Sequence, residues 1–429
     1  VKTNDHAVAA GHSVDPARWQ EAFEGLMSRM AGRFTRVEPR FRVRKLVLGL
    51  LSDLPRKNCW TIAEWAGERT PDGMQHLLGR AKWDADRVRD DVCDYVVDHL
   101  HDDQAVLVVD ETGDVKKGTD TVGVQRQYTG TAGRIENAQV AVYLVYAGRR
   151  GHAAVDRERT SRVHGPPTLT AAGMPDSTRT PPSPPSRNWP RVWLPGSWTP
   201  ATRPHGSPAT RSTAATPSCD RTGGTRHRLR PRGGLLARSH YRGGEVPCGY
   251  PDQEGAQGRK LSAGAGAKGH RLYDWAVIDL ADPRPGSRQL LIHRNRSTGE
   301  LPYYHCYSPP PVPLTVLIRV PGSRWRVEEF FQSGKGLAAL DEHQVRRYAS
   351  WSRWVTLAML AHTFLSVVRA DEHTRPAPDA LIPLTCNEIQ RLFITLVVRP
   401  VHRLGWSDWR RRHQARSQAS HYRRQATQA

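Results

Sequence analysis

Between Arg159 and Ser262 the chain stops being the kind of sequence that packs a core. This stretch holds 16 of the 32 prolines and neither isoleucine nor phenylalanine. Runs such as PPSPPSRNWP and ATRPHGSPATRSTAATPS exclude periodic helices and central strands, because proline lacks the amide proton and fixes φ. Any core must be assembled from the two flanks. The charge divides the same way: the segment has 16 Lys and Arg against 5 Asp and Glu, a net +11 out of +21 for all 429 residues. A disordered linker has that composition, but about a hundred structureless residues inside one enzyme core are uncommon. Arg, Pro, Ser, Thr, Gly and Ala are also what GC-rich DNA yields out of frame. A frameshifted translation is therefore the expectation, with LTAAGMPD (Leu169–Asp176) as an island in register. Val1 suits conceptual translation from an alternative start codon.

The flanks read as ordinary protein. In RWQEAFEGLMSRMAGRF, Trp19, Phe23, Leu26, Met27 and Met30 recur at three- and four-residue spacing, the signature of an amphipathic helix. RVRKLVLGLLSDL continues in that manner. NCWTIAEWAGERTPDGMQHLLGRAKW gives two short helical runs broken around Thr70–Gly73, a shape compatible with a helix-turn-helix or with any small bundle. Arg40, Arg42, Arg44, Lys45, Arg56 and Lys57 are its candidate phosphate contacts; a solvated basic face is the bland alternative. From residue 105 the period changes to two. QAVLVVDETG reads as a buried strand over Ala105–Val109 ending at Asp110, followed by VGVQRQYTG and AQVAVYLVYA around a TAGRIEN turn. Beyond the Pro-rich segment, HRLYDWAVIDL, RQLLIHRN and LPYYHCYS read as three antiparallel strands. Helices follow in SRWRVEEFFQSGKGLAAL, YASWSRWVTLAMLAHTFLSVVRA and CNEIQRLFITLVV, and the basic tail WRRRHQARSQASHYRRQ is expected to be loose.

A pI near 10.2 points to a polyanionic partner, most simply nucleic acid. No signal-peptide pattern and no apolar run of 18 residues is visible, so a cytoplasmic, nucleoid-associated protein is expected. The six cysteines form no Cys-x-x-Cys pair, which disfavours a zinc site or disulfide framework. GAGAKG (Gly264–Gly269) lacks phosphate-loop spacing and reads as a turn.

Two features carry chemistry. Asp110, with Glu111 and Asp114 behind it, sits where a strand could hold a cation rigidly, although such residues also open turns. Arg324, Glu328 and Lys335 are spaced by four and seven and share one helical face. They sit amid Trp325, Val327, Phe330, Phe331 and Leu337, so the charged stripe lines a site more readily than bulk water. Phosphodiester cleavage by two metals asks for carboxylates around ions about 3.5–4 Å apart, and cations on the same helix suit flanking phosphates.

With those spacings, the chain resembles the DDE insertion-sequence transposases whose signature is Tyr-Arg-Glu-Lys. Arg324, Glu328 and Lys335 match its last three positions, while Pro321 stands where the tyrosine is expected. VVDETGDVKKG and VGVQRQYTGTAGRIENAQV also read like the family, and the resemblance covers about residues 15–158 and 263–425. It implies an α/β fold with a ribonuclease-H-like core, a mixed sheet flanked by helices, interrupted by a β-strand insertion. It implies Asp110 and Glu328 as ligands of Mg²⁺ (or Mn²⁺), Arg324 and Lys335 on DNA, and double-stranded DNA as partner, both terminal inverted repeats and target, with a homodimer across paired ends. The organisation expected is a disordered N-terminus over 1–14, a helical DNA-binding domain over 15–100 and the first half of the core over 101–158. A frameshifted, disordered segment over 159–262 follows, then the β insertion over 263–310, the helical second half of the core over 311–405 and a basic tail over 406–429. The second catalytic Asp of the family, in a segment like Gly-Asp-Glu-Val-Tyr-Gly, has no counterpart, and neither Asp156 nor Asp220 has its context. Impaired cleavage and strand transfer, or a catalytically dead DNA-binding remnant, are the two functional expectations. Translating the nucleotide sequence over residues 155–265 in all three forward frames is expected to recover the missing motif near Ala209–Ala214. An intact single frame without that motif would refute the frameshift.

Overall fold

A computed structural model of the chain describes residues 14–159, 259–266, 269–280, 286–296, 298–300, 302–375, 383–398 and 404–428. It also describes short strands at 192–193, 218–221, 239–241 and 244–246. The expected island at Leu169–Asp176 and the candidate remnant at Ala209–Ala214 lie outside the described residues.

Five helices open the fold: α1 (Pro16–Ala31), α2 (Val37–Leu51), α3 (Cys59–Trp65), α4 (Asp72–Gly79) and α5 (Ala85–Leu100). Asp15 caps α1, its carboxylate accepting from the amides of Ala17 and Arg18, with Pro16 in the first turn. Asn58 and Thr61 form a capping box on α3. The apolar faces of these helices do not close on one another alone. They meet helix α8 (Tyr348–Glu372), which is apolar all round and buried on nearly every side. Trp19 and Phe23 of α1 are among the largest buried side chains. Phe23 packs edge-on to Phe364 of α8, and Trp19 donates its indole N–H to Glu372 at 2.7 Å. One hydrophobic cluster thus runs from the N-terminal helices into the C-terminal ones.

The first sheet contains β1 (Val106–Val115), β2 (Gln125–Thr129), β3 (Arg134–Ala147) and β4 (His152–Arg159). The long strand β3 organises it: β1 pairs antiparallel along it from Val106↔Ala147 to Val115↔Ala138, and β2 and β4 also pair with β3. The described pairing on the other edge of β1 is confined to Leu107 and Val108, opposite the two-residue β5 (Val192–Trp193). Asp110 is not at a strand end, as its flanking turn residues suggested, but in mid-strand. The ladder with β3 carries on for five residues beyond it, and Gly113 allows this, since a Cβ there would lie 2.1 Å from the Thr129 hydroxyl.

A second, antiparallel sheet has the order β6–β12–β11–β10–β9, from β6 (Ser218–Arg221), β9 (Arg259–Gly266), β10 (Gly269–Asp279), β11 (Ser287–Asn295) and β12 (Tyr303–Ser308). Of the glycine-rich GAGAKG, Gly264 and Gly266 lie in β9 and Gly269 opens β10, antiparallel to it. A further hairpin joins β7 (Ser239–Tyr241) to β8 (Gly244–Val246). The remaining helices are α6 (Leu314–Ser323), α7 (Trp325–Ala338), α9 (Cys386–Leu396) and α10 (Leu404–Gln428). α6 is an element that the Pro321 in its last turn concealed. α7 packs on β1, β3 and β4 and also on α8, giving antiparallel sheets flanked by helices, the α/β arrangement expected of a ribonuclease-H-like core. The tail, expected to be loose, is helical: Arg, Gln and Ala are good helix formers, and α10 is anchored on α3 by the Arg410–Glu64 ion pair and by His413 against Trp60. Among the described residues no helix is long and apolar enough to cross a membrane.

Arg353 of α8 ties the end of α4 to this frame. Its guanidinium donates to the carbonyls of Leu78 (3.2 Å), Ala81 (2.7 Å) and Trp83 (2.8 Å) and lies over the Trp83 ring. Arg353→Met is expected to cost about 1.5–3 kcal/mol, the range for hydrogen bonds to a charged group. Urea unfolding of parent and variant measures it, and an unchanged midpoint would show that Arg353 is not a strut.

Candidate active site

The face of β1 that carries alternate residues changes character along its length. Val106 and Val108 are buried and apolar; Asp110, Thr112, Asp114 and, just past the strand, Lys116 follow on the same side. Helix α7 lies along this polar half and is fastened at two points. At its start Arg324 donates from Nη2 to Asp110 Oδ2 at 2.9 Å, while Asp110 Oδ1 accepts the amide of Glu111 at 2.9 Å. Near its end the Lys335 ammonium lies 2.9 Å from Asp114 Oδ1 and donates to the carbonyl of Gly113 at 3.2 Å. The two fastenings are eleven residues apart on the helix and four on the strand, about 16 Å and about 13 Å. α7 therefore runs in the direction of β1 at a modest inclination. Glu328, one turn beyond Arg324, lies between the fastenings on the same helical face and is exposed.

The second fastening is a buried charge cluster. Asp114 is 5% exposed; His343 Nε2 lies 3.5 Å from its Oδ2, and Lys116 donates to the carbonyls of His343 (3.0 Å) and Asp341. Lys335 meets Asp114 Oδ1 as an ion pair rather than an aligned hydrogen bond, since that oxygen has no partner of hydrogen-bond geometry. Burial acts to raise the Asp114 pKa, but the nearby His343 ring and the charges of Lys335 and Lys116 outweigh it and hold the carboxyl below its usual range. Burial pushes His343 the other way, towards the neutral imidazole.

The sequence-derived cations on α2 are engaged inside the fold. Arg40 donates to the carbonyl of Phe34 at 2.9 Å, Arg44 pairs with Glu24 (Nε to Oε1, 3.1 Å), Lys45 pairs with Glu68, and the Arg42 guanidinium lies against Gly73. Lys57, read from sequence as a phosphate contact, is buried with its ammonium towards the carbonyl of Leu337 at 3.4 Å. Asp156 pairs with Arg89 (3.2 Å) and Arg157 (3.6 Å), and Asp220 stands opposite His305 in the second sheet. Asp156 is thus engaged by arginines and does not join Asp110. The pairing of Lys335 with Asp114 escaped sequence reading. The signal available was the four-residue offset from Asp110 to Asp114, which repeats the strand face.

Asp110 and Glu328 are hard oxygen donors of the type that Mg²⁺ and Mn²⁺ take. A two-metal centre needs more of them. Among the described residues no group of three or more His, Cys, Asp or Glu side chains is placed to hold a cation, so the donor set does not fit a complete centre.

The site is thus a strand bearing a mid-sheet aspartate, strapped by a helix bearing Arg and Glu one turn apart. Residues 29–183 match the family described as DDE superfamily endonuclease. The match includes Asp110 and ends before α7. The chain is also similar, with 38% identity over 105 residues, to a protein of Microchaete diplosiphon described as "Probable transposase for insertion sequence element IS701". That stretch covers 24% of this chain and 28% of the relative, so the chain spans little more than a quarter of the relative it matches.

Removing one member of the buried pair leaves the other charged and unpaired, at a cost of about 3–5 kcal/mol. Lys335→Met and Asp114→Leu are each expected to destabilise by that order, and the double variant to recover most of the loss, as read from urea unfolding. Additive losses would mean no coupling. Because the Asp114 pKa is depressed in the fold, its contribution is present above the unfolded value of about 3.9 and disappears as pH falls through the folded value.

Proposed function

We propose that this chain is an insertion-sequence DNA transposase of DDE type whose phosphodiester cleavage and strand transfer are impaired. The observation that carries the reading is the pairing of Asp110 with Arg324 one turn ahead of Glu328, in a site with no third acidic ligand among the described residues. Asp110 and Glu328 are the proposed ligands of Mg²⁺ or Mn²⁺, and Arg324 the phosphate contact once Asp110 is otherwise engaged. A net charge of +21 supports double-stranded DNA as the partner. The description of the Microchaete relative as a transposase supports end DNA as the particular substrate. The short edge of β1 supports impairment: past Val108, the described strands leave that edge without a neighbour that could present a further carboxylate beside Asp110.

The test is strand nicking of a duplex carrying the element's terminal inverted repeats, with Mg²⁺ or Mn²⁺, alongside binding to the same duplex. Binding with nicking below detection is expected, and a chain rebuilt in the alternative frame over the Pro-rich segment is expected to nick. Nicking by the parent chain that Asp110→Ala abolishes would overturn the impairment. Absence of any duplex binding would overturn the reading as a whole.

A further inference from the structure

Of the cations that sequence reading assigned to DNA in the helical layer, Arg40, Arg44 and Lys45 already have partners within the fold and Lys57 is buried, while Arg56 is exposed; a different set lines an open groove. A cavity of about 680 Å³ lies between α3 and α4 on one side and residues 344–354 on the other. Arg80, Arg346 and Arg347 line it, with His76, Gln75 and Asn58 as further polar groups; Asp72 is the one acid in its lining. Gln75, His76, Arg80, Arg346 and Arg347 are all exposed. Among the described residues the guanidiniums of Arg80 and Arg347 have no hydrogen-bond or ion-pair partner. Arg346 pairs with Asp120 at 2.9 Å, with both side chains largely in water (76% and 67% exposed). Such a pair is worth little, and a phosphate can replace the carboxylate.

The walls are fixed relative to one another. Met74, Leu77 and Leu78 bury the inner face of α4, Arg353 binds its C-terminal end to α8, and Arg347 is the residue from which α8 starts. The guanidiniums of Arg80 and Arg347 are thus presented from a rigid frame, and preorganised cations lose little freedom on meeting a polyanion. At the groove's edge Trp60 packs at a tilt against His413, with ring centroids 4.3 Å apart. The groove's edge therefore lies beside α10, where Arg411 is exposed.

We propose that this groove, and not the basic face of α2, is where the chain holds the backbone of duplex DNA, with Arg80, Arg346 and Arg347 on phosphates and α10 extending the contact. The proposal rests on the DNA-binding part of the functional reading and is independent of cleavage.

Fluorescence anisotropy with a labelled duplex of about 30 base pairs, at several salt concentrations, tests it. Each phosphate contact contributes about 0.9 to the slope of log K against log salt on duplex DNA. Arg80→Gln/Arg347→Gln is expected to reduce the slope by about 1.8 and to weaken binding at least tenfold at moderate salt. Arg87→Gln/Arg134→Gln, two other exposed arginines (side chains 71% and 74% exposed), is the control and is expected to leave the slope unchanged. All four side chains are at the surface, and matching urea curves confirm that the fold is kept. Equal slope losses in both double variants would overturn the groove, leaving only diffuse charge. A parent that binds but is unaffected by the groove substitutions overturns this proposal while leaving the functional reading intact. A parent that binds no duplex overturns both. Equal binding of single-stranded RNA of the same length, with the same loss in the variants, would overturn the assignment to a duplex.

Discussion

Helix α8 decides what the rest of this molecule can be. Twenty-five residues with apolar side chains on every face cannot stand against water, so other elements must surround them. The N-terminal helices, α7, α9 and strand β4 all do so. Trp351, Trp354, Phe364 and Leu365 fill the space between them, and apolar burial stabilises by about 25 cal/mol per Å². It also explains how two flanks separated by a Pro-rich segment share one core. The N-terminal flank supplies amphipathic helices and three long strands, and the C-terminal flank supplies the axis on which they pack.

The functional geometry is derived from that packing. Because α8 supports α7 and β4 together, α7 lies along β1, and the Arg324–Asp110 and Lys335–Asp114 contacts become possible. The two pairs differ in consequence. Asp110 and Arg324 are partly exposed, at 21% and 33%, so their pairing is readily exchanged for another counter-ion. Asp114 is almost wholly buried, and its ammonium partner cannot leave without stranding a charge in a low-dielectric interior. The two cations are therefore held with very different firmness: Arg324 can exchange its partner, while Lys335 is tied to a buried carboxylate.

Sequence made part of this legible. The four- and seven-residue offsets of Arg324, Glu328 and Lys335 define a helical face without any coordinates, and the alternation in AQVAVYLVYA defines a strand. What could not be read was which charge meets which. Asp114 looked like a turn residue because DETGD is rich in turn formers, but the ladder with β3 overrides local propensity and carries the strand through to Val115. Arg44 and Lys45 looked like phosphate contacts because their acidic partners, Glu24 and Glu68, are about twenty residues away in sequence and adjacent only in space. α6 went unseen because a proline late in a helix reads as a stop, although its missing amide is tolerated at the junction with α7.

Net charge is therefore a poor map of where a polyanion binds. Of the 63 lysines and arginines, several serve the fold. Arg18 pairs with Glu372, Arg33 chelates Asp91 through two nitrogens at 2.6 Å, Arg89 and Arg157 both reach Asp156, and Arg353 caps three carbonyls. A cation neutralised by a neighbouring carboxylate offers a phosphate little, because binding the phosphate would first cost that pair. The cations that matter are those whose partners are absent or cheaply displaced and whose backbone is already fixed. In the described residues the rim of the α4 groove brings such cations together around one cavity, and burial and pairing, which composition cannot report, mark them out.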